Sequence, residues 1–96
     1  MNKVNVAFQV IPFTKNNDTY DIIDKVIQMI HESGIHYEVG PMETVMEGTL
    51  EELFSIIERA QELCAKNGAY QVLSNIKIQY RPNEDVTIEE KIGKYR

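Results

Sequence analysis

The chain has 96 residues, 43% of them hydrophobic and 26% charged, with a formal net charge of −5. That length holds one core, so residues 1–96 are read as a single domain, and a domain of this size buries only about two-thirds of the surface its unfolded chain exposes. The acidic balance excludes a partner held mainly by phosphate contacts, which calls for a basic surface, so neither nucleic acid nor membrane is expected as a partner.

Val4, Val6, Phe8 and Val10 alternate with Asn5, Ala7, Gln9 and Ile11, the period of a strand, and Pro12 is expected to end it. Residues 14–18 form a polar loop in which Asn16, Asn17 and Asp18 offer helix caps. From Tyr20 the period changes: Ile22, Ile23, Val26, Ile27 and Ile30 recur at helical spacing, and Ser33-Gly34 closes that helix. Ile35, Tyr37 and Val39 alternate again, Gly40-Pro41 breaks the pattern, and Met42 to Glu47 resumes it up to Gly48.

Thr49 and Glu52 have the spacing of a capping box and start a second helix with Leu50, Leu53, Phe54, Ile57, Ala60, Leu63 and Cys64 as its apolar stripe. Asn67-Gly68 ends it. Val72 to Arg81 alternates as the last long strand, and Thr87 with Glu90 repeats the capping box ahead of a short helix reaching about Tyr95. The order strand, helix, strand, strand, helix, strand is the α+β, ferredoxin-like βαββαβ sandwich, here with a short C-terminal helix.

In that fold one sheet face meets the helices. Val4, Val6, Phe8 and Val10, with Val72, Ile76, Ile78 and Tyr80, are expected to supply it. The opposite face carries Asn5, Ala7, Gln9, Ile11, Leu73, Asn75, Lys77 and Gln79, a mixture of amides and aliphatics suited to a subunit contact, to a polar ligand niche, or to both. Whether Glu43, Val45 and Glu47 or Met42, Thr44 and Met46 share that face depends on the bend at Gly40-Pro41.

No catalytic apparatus is legible, and no enzyme activity, cofactor or metal is expected. His31 and His36 lack metal-ligand spacing, and no cysteine or carboxylate cluster completes a site. Glu51-Glu52 and Glu89-Glu90 sit at helix starts, where negative charge favours the helix dipole. Cys64, the single cysteine, falls in an apolar helical pattern and reads as a buried hydrophobe. No apolar run nears the roughly 18 residues of a membrane helix. The start, Met1-Asn2-Lys3 and then alternation, is not a secretion signal, so a cytoplasmic location is expected.

Four stretches occur together in order: Gln9-Val10-Ile11-Pro12; Tyr37 to Gly48 with its Gly40-Pro41-Met42-Glu43-Thr44 centre and Glu47-Gly48 close; Asn75-Ile76-Lys77-Ile78; and Glu89-Glu90-Lys91. In these the chain resembles the small thiamine-binding protein family over nearly its whole length. The resemblance implies ferredoxin-like subunits that pair into a dimer of dimers with sheets packed on one another. It also implies a small-molecule ligand, thiamine or its hydroxymethylpyrimidine portion, bound without turnover, in a carrier role in vitamin B1 salvage.

Such a ligand sets chemical requirements. Glu47 or Glu43 can offset the thiazolium charge. Gln9, Asn75 and Thr44 can read the pyrimidine edge, because amides and hydroxyls both donate and accept. Tyr37 can stack on a ring. Gln9, Thr44, Glu47, Asn75 and Tyr37 are therefore the expected ligand-binding residues. The main alternative is an oligomeric regulatory or scaffolding domain that uses the mixed face for assembly alone. An acylphosphatase-like enzyme would need an arginine in the loop after the first strand, which reads Pro12-Phe13-Thr14-Lys15-Asn16-Asn17. An RNA-recognition domain would need exposed aromatics where Gln9, Asn75 and Lys77 stand.

Overall fold

The computed structural model describes residues 2–16 and 18–96; Met1 and Asn17, the latter one of the expected helix caps, lie outside the described residues. The elements are β1 (Val4–Phe13), α1 (Thr19–Glu32), β2 (His36–Val39), β3 (Thr44–Gly48), α2 (Leu50–Lys66), β4 (Gln71–Gln79) and α3 (Glu89–Ile92), followed by a 3-10 turn at Gly93–Tyr95. The strands form one antiparallel sheet in the order β2-β3-β1-β4. This is the ferredoxin-like arrangement, with β1 and β3 central and β2 and β4 at the edges.

The start of α2 and the ends of α1 and α2 follow local chemistry. Thr49 Oγ1 accepts the Glu52 N–H at 3.2 Å and Glu52 Oε1 accepts the Thr49 N–H at 2.9 Å, so two of the amides orphaned at the start of α2 are satisfied. That bonding holds the Glu52 carboxyl below its usual range. Asp18 occupies the N-cap of α1 without a side-chain cap bond. Gly34 and Gly68, at φ +82° and +105°, follow α1 and α2 in the left-handed region that glycine enters without a Cβ clash.

The core lies between the helices and one sheet face. Val4, Val6, Phe8 and Met46 from the sheet meet Ile22, Val26 and Ile30 of α1 and Leu53, Ile57 and Ala60 of α2. Cys64 is fully buried, and burial pushes its thiol up, away from the reactive thiolate.

Three sequence expectations are corrected. Pro12 does not end the first strand, which continues through Phe13; proline has no N–H to donate, and Pro12 stands where the neighbouring strand β3 has already stopped. In α2 the buried face is Leu53, Ile56, Ile57, Ala60 and Cys64, while Leu50 and Phe54 are exposed at the margin of that stripe. The third concerns β4. Ile76 and Ile78 share a face with Phe8 and Val6 as expected, yet they are 39% and 45% exposed, and Tyr80 beyond them is 63% exposed. The alternation identified the right face, but β4 is an edge strand and its second half runs out from under the helices.

Candidate functional site

The Gly40-Pro41 bend decides where a site can form. Gly40 N–H donates to Glu43 O at 2.9 Å, closing a turn with Pro41-Met42 at its tip. A side-chain carbon on Gly40 would lie 2.8 Å from that same oxygen, so only glycine fits. Backbone hydrogen-bonding groups point alternately to the two sides of a strand. With Glu43 facing β2, Thr44, Met46 and Gly48 face β1, opposite Phe8, Val6 and Val4. The next β1 residue with its groups on that side is Val10. Its counterpart would be Met42, which the turn carries away, and the β1–β3 ladder stops at Phe8 and Thr44. The Val10 N–H and C=O therefore meet no backbone partner on that side among the described residues.

Along this free edge runs a groove of about 430 Å³, bounded by the Gly40–Thr44 turn and by Tyr20, Ile23 and Ile27 of α1. Gln9, Val10 and Thr44 line it. Glu43 is the single carboxylate among its lining residues, and no lysine, arginine or histidine is among them. The groove thus combines an apolar helix wall, an unpaired strand edge and one acidic residue, Glu43, whose carboxylate pairs with Lys77.

A second cavity, of about 460 Å³, has a different character. After Pro82 the chain folds back over the sheet face that the helices leave open. Asn5 Nδ2 donates to Val86 O at 3.0 Å, Val86 N–H donates to Lys3 O at 3.0 Å, and Ile88 N–H donates to Glu47 Oε1 at 2.7 Å. Val86 and Ile88 are buried. Arg81 clamps this C-terminal arm with two bonds to the Glu90 carboxylate, at 2.9 and 2.5 Å. That pairing, with help from the Thr87 amide, lowers the Glu90 carboxyl to about 2. Arg96 ends the arm on Glu38, at 2.8 Å. The cavity lies beneath, between Ala7 and Val45 of the sheet and Ile88 and Ile92 of the arm.

The five expected ligand residues do not converge on one point. Gln9, Asn75 and Glu47 belong to the open face, since cross-strand partners project to the same side and Asn5 pairs with Glu47 and Gln79. Thr44, opposite Phe8, and Tyr37, opposite Met46, belong to the helix face. Asn75 Nδ2 donates to Gln9 Oε1 at 3.2 Å. Glu47 stands four residues further along β1, about 13 Å away by strand rise, and anchors the arm. The Tyr37 hydroxyl is hydrogen-bonded to His31 Nδ1 at 2.9 Å, the rings meeting edge to face. Gln9 and Thr44 both line the groove, from opposite faces of the sheet, with Asn75 supporting Gln9.

Sequence reading missed Val10, Tyr20 and Met42 at the groove and the arm residues Val86, Ile88 and Ile92. The apolar Val86, Ile88 and Ile92 in an otherwise polar tail were the available signal for the arm. Among the described residues no group of three or more histidine, cysteine or carboxylate side chains gathers as a metal site, and no helix is long and apolar enough to cross a membrane.

Comparison with known proteins follows the same outline. Residues 6–96 match the family model described as thiamine-binding protein. A UPF0045 protein of Clostridium perfringens is 44% identical over 96 residues, covering 100% of both chains. Among solved structures, a Bacillus cereus domain of unknown function, DUF77, superposes with a TM-score of 0.92 at 46% identity, covering 99% of this chain and 91% of its own. A Thermotoga maritima protein proposed for thiamine biosynthesis or salvage superposes at 0.86 with 33% identity, covering 98% of this chain and 99% of its own.

Proposed function

The chain belongs to the thiamine-binding protein family, and on that premise we propose that it binds thiamine, or the hydroxymethylpyrimidine portion of it, in the groove along the free edge of β1. The observation that carries this reading is the unpaired Val10 edge. An aminopyrimidine presents a ring nitrogen beside an exocyclic amino group, an acceptor next to a donor. One extended residue presents the complement, an N–H next to a C=O on the same side.

The rest of the groove suits the rest of the ligand. Gln9 and Thr44 add groups able to donate and accept. Glu43 offers the negative charge a thiazolium needs, and its ion pair with Lys77, 3.6 Å long and solvent-exposed, is of the kind that is easily exchanged. Tyr20, 82% exposed at the rim, can close over a cationic ring. In this account Glu43 rather than Glu47 answers the thiazolium, because Glu47 already serves the Ile88 amide. Asn75 acts by orienting Gln9, and Tyr37 supports the wall through His31. Binding without turnover is the role read here, that of an intracellular carrier in thiamine salvage with no cofactor of its own.

We also infer that the protein works as a homo-oligomer. The support is β4, a nine-residue edge strand whose Leu73, Ile76 and Ile78 are 47%, 39% and 45% exposed. Bare apolar edges of this kind pair with other chains. A two-fold contact there, and a second over the uncovered half of the open face at Ile11 and Leu73, would give the dimer of dimers.

Titration calorimetry with thiamine and with free hydroxymethylpyrimidine tests the ligand. One equivalent per chain is expected for both, with the ligand recovered unchanged. Glu43→Gln should weaken thiamine about tenfold and leave the pyrimidine unaffected. No heat from either ligand would favour an assembly domain without a small molecule.

A further inference from the structure

The cavity under the C-terminal arm is as large as the groove but opposite in charge. Three cations, Lys77, Lys91 and Arg96, are among its lining residues, with one carboxylate, Glu38. Two of the cations are answered: Arg96 by Glu38 at 2.8 Å and Lys77 by Glu43 at 3.6 Å. Lys91 is not. Its Nζ donates to two neutral amide oxygens, Asn5 Oδ1 at 2.8 Å and Gln79 Oε1, and no carboxylate lies within ion-pair distance of it among the described residues. An ammonium carries three N–H groups. Lys91 is an exposed residue, so the third, together with the charge, stays open to solvent or to a ligand.

One of the two amides that hold Lys91 is itself fixed. Asn5 is 4% exposed and its Nδ2 is committed to Val86 O, so its Oδ1 has one orientation and aims the ammonium. Pinning the arm to the sheet would have needed only a neutral donor. A charge held by neutral oxygens beside an apolar chamber is instead what an anion-binding position looks like, because a charged hydrogen bond is stronger there than between neutral groups. Ala7, Val45, Ile88 and Ile92 supply the apolar chamber.

We propose that this cavity is a second binding site, for a small amphipathic carboxylate whose apolar body lies between sheet and arm and whose head group pairs with Lys91. Lys91, which carries the proposal, does not line the groove, and the exposed Lys77–Glu43 pair is the contact that joins the two sites. A cation such as thiazolium is disfavoured here by the same charges that favour a carboxylate.

The test is calorimetric titration of the full chain with octanoate, octylammonium and octanol. Octanoate should bind one per chain, with octylammonium at least about tenfold weaker. Lys91→Gln should weaken octanoate about tenfold and leave octanol unchanged, with a melting curve showing that the variant is folded. Because Lys91 also pins the arm, Ala7→Leu serves as a second variant: it fills the chamber floor while keeping every polar contact of the arm, and should abolish octanoate binding. Thiamine titrated into both variants should behave as with the unaltered chain, which separates failure here from failure of the groove. Octylammonium binding as tightly as octanoate, or either variant binding octanoate undiminished, overturns the proposal.

Discussion

The Glu47 carboxylate accepts the Ile88 amide at 2.7 Å, joining residues 41 apart in sequence. A carboxylate that sequence offers to a ligand is therefore the anchor of the C-terminal arm. Glu47→Ala strands a partly buried N–H, and the loss should be about 1–3 kcal/mol. The Ile88 amide should also exchange faster with solvent than the amides of the β1–β3 ladder. Protection at Ile88 unchanged in the variant would contradict this role.

The Arg81–Glu90 clamp makes the arm acid-sensitive. The Glu90 carboxyl sits at about 2 rather than 4.5, because Arg81 and the Thr87 amide bind its charged form. A lowered folded-state value means that the contribution is complete above about pH 4.5 and drains away as pH falls toward about 2. The Glu52 carboxyl, held down by Thr49 at the start of α2, acts in the same direction. Methyl resonances of Val86 and Ile88 should shift toward unfolded positions across that window, and in Glu90→Gln they should show no such transition there. Identical acid titrations for the two proteins would count against the clamp.

Gly40 should tolerate no side chain. A Cβ there would press on Glu43 O at 2.8 Å, and relief requires opening the turn that leads into β3. Gly40→Ala should cost about 1–3 kcal/mol, as overpacked sites do. It should also weaken thiamine binding, since the turn forms one wall of the groove. Thermal melting and titration of one sample check both effects.

Ile76→Lys should dissociate the proposed oligomer. The residue is 39% exposed on the edge strand, so the substitution leaves the core intact, and charges at an edge prevent strand pairing. Light scattering should give a smaller species than the unaltered chain at equal concentration, with the melting curve still cooperative. An unchanged mass would contradict an interface at β4.

The element order and the core were legible because each rests on a local rule. The Thr49–Glu52 box, the glycines at 34 and 68, and the alternation at Val4, Val6 and Phe8 each act within a few residues. The candidate groove was legible only in part. Gln9 and Thr44 share the groove, but nothing local says that Met42 leaves the ladder and so leaves Val10 unpaired; that follows from the register of two strands that are distant in sequence. Glu47 looked available because its partner, Ile88, arrives from the far end of the chain. Ile76 and Ile78 looked buried because alternation gives the face of a strand and not its position in the sheet.

The most direct measurement is chemical-shift mapping with thiamine on the isotope-labelled chain. The account predicts that saturating thiamine moves the Val10 amide, the Ile23 and Ile27 methyls and Thr44, all at the groove, while Ala7 and Ile92 under the arm stay still. Shifts centred on Ala7 and Ile92, with Val10 unmoved, would contradict it.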